Sequence, residues 1–163
     1  MLLNSSVIKF TKYIKKSVTD DYDINFVFNK SHIVNLHCLV SSIEPKCSIE
    51  KFVYSIFRSS IINKIHYDAI IIIFINILNK IKYKGVYFNK LTCHRLTFIL
   101  LLLSCKVCDD CHYDNSSWSK ITRLSLDEIN KMEITVLKLL NYNLSIIISD
   151  ETISAIAKTV YHN

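Results

Sequence analysis

One glycine, Gly85, and one proline, Pro45, are all that this chain of 163 residues contains. That scarcity constrains the fold more than any other feature. The hairpins of a β-sandwich or barrel take their tight turns from Gly, Pro and Asn-Gly pairs, and a Gly-rich nucleotide loop needs several glycines together. Half of the residues are apolar, so there is enough surface for a sizeable core but almost nothing with which to turn strands. An all-α protein follows, and a single domain with short extensions is the outcome expected for this length.

Hydrophobic spacing locates the helices. Residues 1–30 read as an N-terminal extension, with an amphipathic piece around Val7 to Val18 and then the polar, acidic "TDDYDINF". A helix is predicted over 31–43, where Ile33, Leu36, Leu39, Val40 and Ile43 recur at helical spacing and Pro45 then disfavours the α region at Glu44. From Ser48 onward a series of helices follows with short connectors: "SIEKFVYSIFRSS", "YDAIIIIFINILNKI", "LTCHRLTFILLLLSCKVCDD", "NSSWSKI" and "SLDEINKMEITVLKLLNYN". Ser125 with Glu128 three residues later makes a capping box, and Asn115 and Ser116 offer caps to the helix before it. A last helix, about Asp150 to Tyr161, falls in a C-terminal segment over 147–163.

The helix holding "LTFILLLLSCKVC" has no polar face, so it belongs at the middle of a bundle with other helices around it. This run and "AIIIIFINIL" both fall short of the roughly 18 to 20 apolar residues needed to cross a bilayer. The N-terminus has neither a charged region nor an apolar stretch suited to a secretory signal, so an intracellular chain with reduced thiols is expected. The formal charge of +6 is spread along the chain with no basic run longer than Lys15-Lys16. Part of it reflects the Lys- and Asn-rich codon usage of an AT-rich gene, and no nucleic-acid partner is expected. No Gly-rich phosphate loop, His-Glu-x-x-His or carboxylate pair placed for acid/base work is present. The composition is that of an interaction module rather than an enzyme.

Two charges stand where apolar residues should be. On a helical wheel at about 100° per residue, Ile129, Met132, Val136 and Leu140 form the apolar stripe of the "SLDEINKM" helix, Leu137 lies on its edge, and Glu133 falls inside it. Lys106 likewise follows the uncharged run from Leu96 to Cys105. A carboxylate in such a stripe either reaches solvent at the border or needs a positive partner or backbone N–H groups, and a lysine at a helix end can snorkel to water. Alternatively, both sit near a surface that another molecule covers, where their remaining hydrogen-bonding capacity is used.

The residues from His94 onward closely resemble one known family. "CHRLTFILLLLSCKVCDDCHYDNSSWSKITRLSL" is similar to the third and fourth helices of the cyclin box of P-type (P/U, phosphate-pathway-like) cyclins, matched at His94-Arg95, Lys106, Asp109-Asp110, Tyr113, Asn115, Trp118 and Ser125. "SLDEINKMEITVLKLLNYNLSI" resembles the fifth helix through Asn130, Lys131, Met132 and Glu133, and "SIEKFVYSIF" resembles the first more loosely. The resemblance covers roughly residues 31–146 and implies there a single cyclin-box domain, a five-helix bundle around a central apolar helix, with flanking N- and C-terminal helices. It also implies a non-catalytic regulatory subunit that binds and activates a cyclin-dependent protein kinase, or otherwise a cyclin-fold scaffold without kinase activation. By the resemblance, Lys106 and Glu133 contact the backbone beside the kinase's C-helix (the PSTAIRE-type helix), and Val107, Leu137, Tyr142 and Leu144 lie on or beside that contact. Two departures stand out. Ile77, Leu78, Asn79 and Lys80 replace a Tyr-Leu-Asp-Arg-like segment, losing the acid and keeping the base, and Thr122-Arg123 replaces a Gly-Gly pair.

The stretch "CKVCDDCHYD" contains Cys108-Asp109-Asp110-Cys111-His112, the spelling of a c-type haem attachment site. Covalent attachment needs export to a compartment with the ligation machinery, and no export signal is visible. Zinc sites usually join two separated ligand pairs, and the other Cys-His pair, Cys93-His94, starts the same helix on the order of 18 Å away at about 1.5 Å per residue. By the resemblance, Cys105 and Cys108 stand where the family has small or apolar residues, so they are expected to fill space as small hydrophobes, with no metal and no cofactor. A small metal-binding helical protein is the remaining alternative.

Overall fold

Gly85 ends a helix. In the computed structural model, which describes residues 5–20, 36–110 and 113–145, Gly85 has φ 83° and follows the long helix Tyr67–Tyr83. Its N–H donates to Lys82 O at 2.9 Å and the next N–H, of Val86, reaches back to Ile81 O at 3.1 Å. This pair of bonds is the left-handed helix stop for which glycine is favoured.

Six α-helices lie within the described residues: α1 Ser5–Ser17, α2 Ile49–Arg58, α3 Tyr67–Tyr83, α4 Cys93–Cys108, α5 Asn115–Thr122 and α6 Leu126–Leu139. The all-α expectation holds, and no strand interrupts them among the described residues. α4 is the centre. Phe98 through Leu103 are buried without a break, and α2, α3 and α6 all pack on this helix. The edge-on ring contact of Phe98 with Trp118, 5.9 Å between centroids, ties α5 to the same core.

The residues read from sequence as an N-terminal extension include a core helix. Val7, Phe10 and Ile14 on α1 are completely buried, and the Phe10 ring meets Phe57 of α2 at 5.9 Å and Phe74 of α3 at 4.9 Å. An amphipathic pattern shows that a face is buried but not against what, so the sequence left this helix outside the bundle.

The helix predicted over 31–43 does not form in its described part. Residues 36–43 contain only a 3-10 turn, His37–Leu39, and Ile43 is 73% exposed. Leu36 and Leu39 are buried as their spacing requires, but the backbone is used elsewhere. Arg95 Nη1 donates to Cys38 O at 3.0 Å, and Ser41 N donates to Leu91 O at 2.8 Å. Tertiary partners thus take groups that a continuing helix would pair internally. The helix predicted near 150–161 lies outside the described residues, as do Cys111 and His112.

Candidate functional site

α5 and α6 begin with sharply defined caps, and these set the site's geometry. Ser125 and Glu128 form the predicted capping box: Glu128 N donates to Ser125 Oγ at 3.2 Å and Ser125 N to Glu128 Oε2 at 3.0 Å. Arg95 of α4 holds the other oxygen of Glu128 at 2.7 Å. This guanidinium, followed by the Ser125 backbone N–H, keeps the Glu128 carboxyl below its usual range. At the start of α5 the cap is Asp114, not the predicted Asn115 or Ser116. Asp114 Oδ1 accepts from Ser117 N at 2.8 Å, and bonds from Ser117 lower its pKa.

Because Asp114 caps the helix, the side chain of Asn115 is free to turn toward α6. Lys106 Nζ lies 2.6 Å from Glu133 Oε1, and Asn115 Nδ2 lies 2.6 Å from Glu133 Oε2 and 2.7 Å from Asn130 Oδ1. A carboxylate only accepts, so the amide's orientation is fixed by Glu133. The two misplaced charges of the sequence are each other's partners. Their side chains are 23% and 15% exposed, which puts them at the rim of the core and still within reach of another molecule. Glu133 is the one described acceptor of Lys106, which leaves two ammonium protons without a protein acceptor among the described residues. Asn115 Oδ1 is buried without a hydrogen-bond partner. Asn115 was not among the residues expected at the site; its cap-like residue type concealed it.

The other expected residues lie on α4, on α6 and in the segment after it. Val107 follows Lys106 and is 40% exposed. Leu137 stands one helical turn after Glu133 on the same face of α6, half-buried against the core. α6 then ends on a left-handed stop made without glycine. Asn141 (φ 52°) and Tyr142 (φ 56°) are both left-handed, with Asn141 N donating to Lys138 O at 3.0 Å and Tyr142 N to Leu137 O at 2.7 Å. This ties Tyr142, 64% exposed, to the end of the strip. Leu144 packs against the core, in a segment fastened by Lys80, whose Nζ donates to Asn143 O at 3.3 Å and Ser145 O at 2.6 Å. The base kept at position 80 thus binds backbone carbonyls where the lost acid leaves it no local ion pair.

The cysteines separate into two environments. Cys105 is buried in the core, and burial pushes its thiol far above the ordinary range, as expected for a small hydrophobe. Cys108 is half-buried beside Asp109, and burial followed by that carboxylate raises its thiol too. His66 Nδ1 makes a short contact with Asp109 Oδ1 at the same end of α4. Among the described residues no helix is long and apolar enough to cross a membrane.

Comparison with known proteins agrees with this architecture. A family model described as Cyclin matches residues 5–144, taking in α1 along with the helices that follow. Cyclin-U1-1 of Arabidopsis thaliana is 31% identical over 65 residues, which cover 40% of this chain. The match spans 31% of that relative's length, under a third of it. On a helical bundle centred on α4 and a family match running from the first core helix to the end of the Tyr142 strip, the chain belongs to the cyclin family.

Proposed function

We propose that this chain is a cyclin of the P/U type, a non-catalytic regulatory subunit that binds and activates a cyclin-dependent protein kinase. The observation that carries this reading is the Lys106–Glu133 pair, braced by Asn115, with Val107 next to Lys106 and Tyr142 after the end of α6 both exposed. Two spare ammonium protons on Lys106 and the lone pairs left on the partly exposed Glu133 carboxylate fit a partner that presents backbone C=O and N–H groups side by side. The frayed backbone beside a helix end is such a partner, and the resemblance assigns that role to the kinase's C-helix region. The P/U assignment draws on the residues from His94 to Ser125 and on the likeness to Cyclin-U1-1.

In this reading the apolar surface of Leu137, Tyr142 and Leu144 receives apolar side chains while Lys106 and Glu133 set the register. Docking rotates the kinase's C-helix until the kinase's own Lys-Glu ion pair closes and the ATP site is complete. The phosphoryl-transfer groups all belong to the kinase, and the protein acts in the nucleus or cytoplasm where that kinase is found.

The test is capture with tagged wild-type chain and with the Lys106→Ala/Glu133→Ala double variant, reading bound kinases by mass spectrometry and protein-kinase activity in the eluate. The expected result is an active cyclin-dependent kinase recovered with wild type and depleted with the variant. A folded wild-type chain that recovers none, or a kinase bound equally by both, overturns the reading in favour of a cyclin-fold scaffold or a different contact surface.

A further inference from the structure

At one end of the bundle, three side chains of different ligand chemistry converge. His66 ends the short 3-10 turn Lys64–His66 and is the residue before α3. Cys108 is the last residue of α4, and Asp109, with extended backbone (φ −107°, ψ 127°), is its C-cap. α3 and α4 run antiparallel across their short connector, so the start of one lies beside the end of the other. A ring nitrogen of His66, Cys108 Sγ and a carboxylate oxygen of Asp109 all lie within 4.8 Å of one another. None of the three residues is freely exposed.

We infer that this junction is a divalent transition-metal site of the zinc type, with His66, Cys108 and Asp109 as protein ligands and a fourth position open to water or another donor. A tetrahedral zinc ion with bonds of about 2.0 to 2.3 Å spaces its ligand atoms roughly 3.3 to 3.8 Å apart. The trio's spacing exceeds that range by at most about 1 Å, while His66 and Asp109, in hydrogen-bond contact, lie inside it, so an ion enters by opening that hydrogen bond. Imidazole, thiolate and carboxylate together form a borderline-soft set that suits zinc and disfavours calcium or magnesium, which take oxygen ligands. On binding, the thiol gives its proton to solvent and its sulfur pair to the metal, with no change of oxidation state.

The sequence argued against metal because the cysteines crowd one helix end and Cys93-His94 lies too far along the same helix. The separated ligand comes from elsewhere. His66 stands 43 positions before Asp109 and arrives through the packing of α3 on α4. The simpler account is a His66–Asp109 hydrogen bond with a thiol nearby, and the two accounts differ in what Asp109→Asn does. That substitution keeps the size of the side chain and an oxygen that can accept from His66, but removes the ligand charge.

The experiment uses the full chain stripped with a chelator, then titrated with Zn²⁺ or Co²⁺ alone. Expected are one equivalent of bound zinc, a thiolate-to-cobalt charge-transfer band, and a melting temperature raised by zinc. His66→Gln, Cys108→Ser and Asp109→Asn should each weaken binding by at least about tenfold, since even outer-shell partners of metal ligands are worth roughly 10- to 100-fold. Cys47→Ser, at an exposed thiol, should change nothing. Circular dichroism of the metal-free forms establishes that each variant is folded, and Asp109→Asn serves if the other two are not. Binding of less than one equivalent by wild type, or a cobalt band and zinc-dependent melting shift that persist in the folded variants, overturns the site.

Discussion

Asn115 Nδ2 donates to Glu133 Oε2 at 2.6 Å across the α5–α6 contact, opposite the oxygen that Lys106 holds. Glu133 is thereby clamped on both oxygens. Freed of Asn115, the carboxylate could swing about its single bond to Lys106, and its Oε2 would depend on water. Asn115→Ala is expected to cost about 1 kcal/mol of stability, below the roughly 1.5 to 3 kcal/mol of a bond to a charged acceptor because water reaches this rim. It should weaken kinase capture by more than that loss of folding explains. Urea denaturation beside a pull-down measures both; a variant with wild-type capture would show that the clamp is only structural.

The pair itself should matter more to binding than to folding. Lys106 and Glu133 are both partly exposed, so either one left alone can turn to solvent. A double-mutant cycle of Lys106→Ala and Glu133→Ala is expected to give a coupling of about 0.5 to 1 kcal/mol in the isolated chain. Loss of several kcal/mol in Glu133→Ala alone, seen as a collapsed melting temperature, would mark the pair as a buried core feature and count against the docking role.

Acid stability should fall in two steps. His94 Nε2 lies 2.7 Å from Cys47 O, so that nitrogen carries the proton, and Nδ1 faces Cys93 Sγ at 3.2 Å, where the thiol is the donor. Burial lowers the His94 pKa from its ordinary 6.5, against the opposing pull of the Cys47 carbonyl and Glu44. Cys93, pushed up to about 11 by burial, stays a thiol throughout. Below 6.5 the unfolded chain therefore binds a proton that the folded chain does not, and stability drops as pH falls from there to the lowered folded value. Glu128 is depressed below 4.5 by Arg95, so its contribution is present above 4.5 and is lost as pH falls through the folded value. Melting curves across pH should show the upper step shrink in His94→Gln and the lower one in Glu128→Gln, which keeps the capping box. Unchanged profiles would remove these groups as the cause.

Thr122-Arg123 stands where the resemblance expects Gly-Gly, and the backbone there still takes the glycine conformation. Arg123 has φ 60° and ψ 15° at the end of α5, with its N–H bonded to Ser119 O at 3.1 Å. A residue with a Cβ is disfavoured at such angles. Arg123→Gly is expected to stabilise by roughly 0.5 to 1 kcal/mol, the relief of that strain less the added freedom of the unfolded chain. Arg123→Ala should not stabilise. A guanidinium denaturation midpoint that moves equally in both would mean the side chain, not the backbone angle, is at issue.

What could be read from the sequence was local or conspicuous. The Ser125–Glu128 box is an i,i+3 pattern, and Glu133 and Lys106 stand out because each breaks an apolar surface. What could not be read depends on groups brought together by packing. His66 meets Asp109 from 43 positions away and Asn115 meets Glu133 from 18. At the Asp114-Asn115-Ser116 run three cap-type residues compete, and only the choice of Asp114 frees Asn115 for Glu133. The failed helix over 36–43 is of the same kind. Its apolar spacing is real, but Arg95 from α4 and the Leu91 carbonyl claim the backbone.

α1 provides the sharpest test of where the folded unit begins. Phe10 is fully buried with edge-on contacts to Phe57 and Phe74, so it joins α1 to α2 and α3 through one ring. Its neighbours Val7 and Ile14 complete a face with no exposure. If the helix were an appendage, Phe10→Ala would change stability little and deleting residues 1–17 would leave the bundle intact. With α1 as part of the core, Phe10→Ala is expected to cost about 3 to 5 kcal/mol, the range for emptying a buried aromatic site. The truncated chain would then expose the apolar faces of α2 and α3 and aggregate or melt without cooperativity. Calorimetry of the point variant and of the truncation distinguishes the two arrangements, and a truncated chain that melts cooperatively near the wild-type temperature would place the start of the domain after α1.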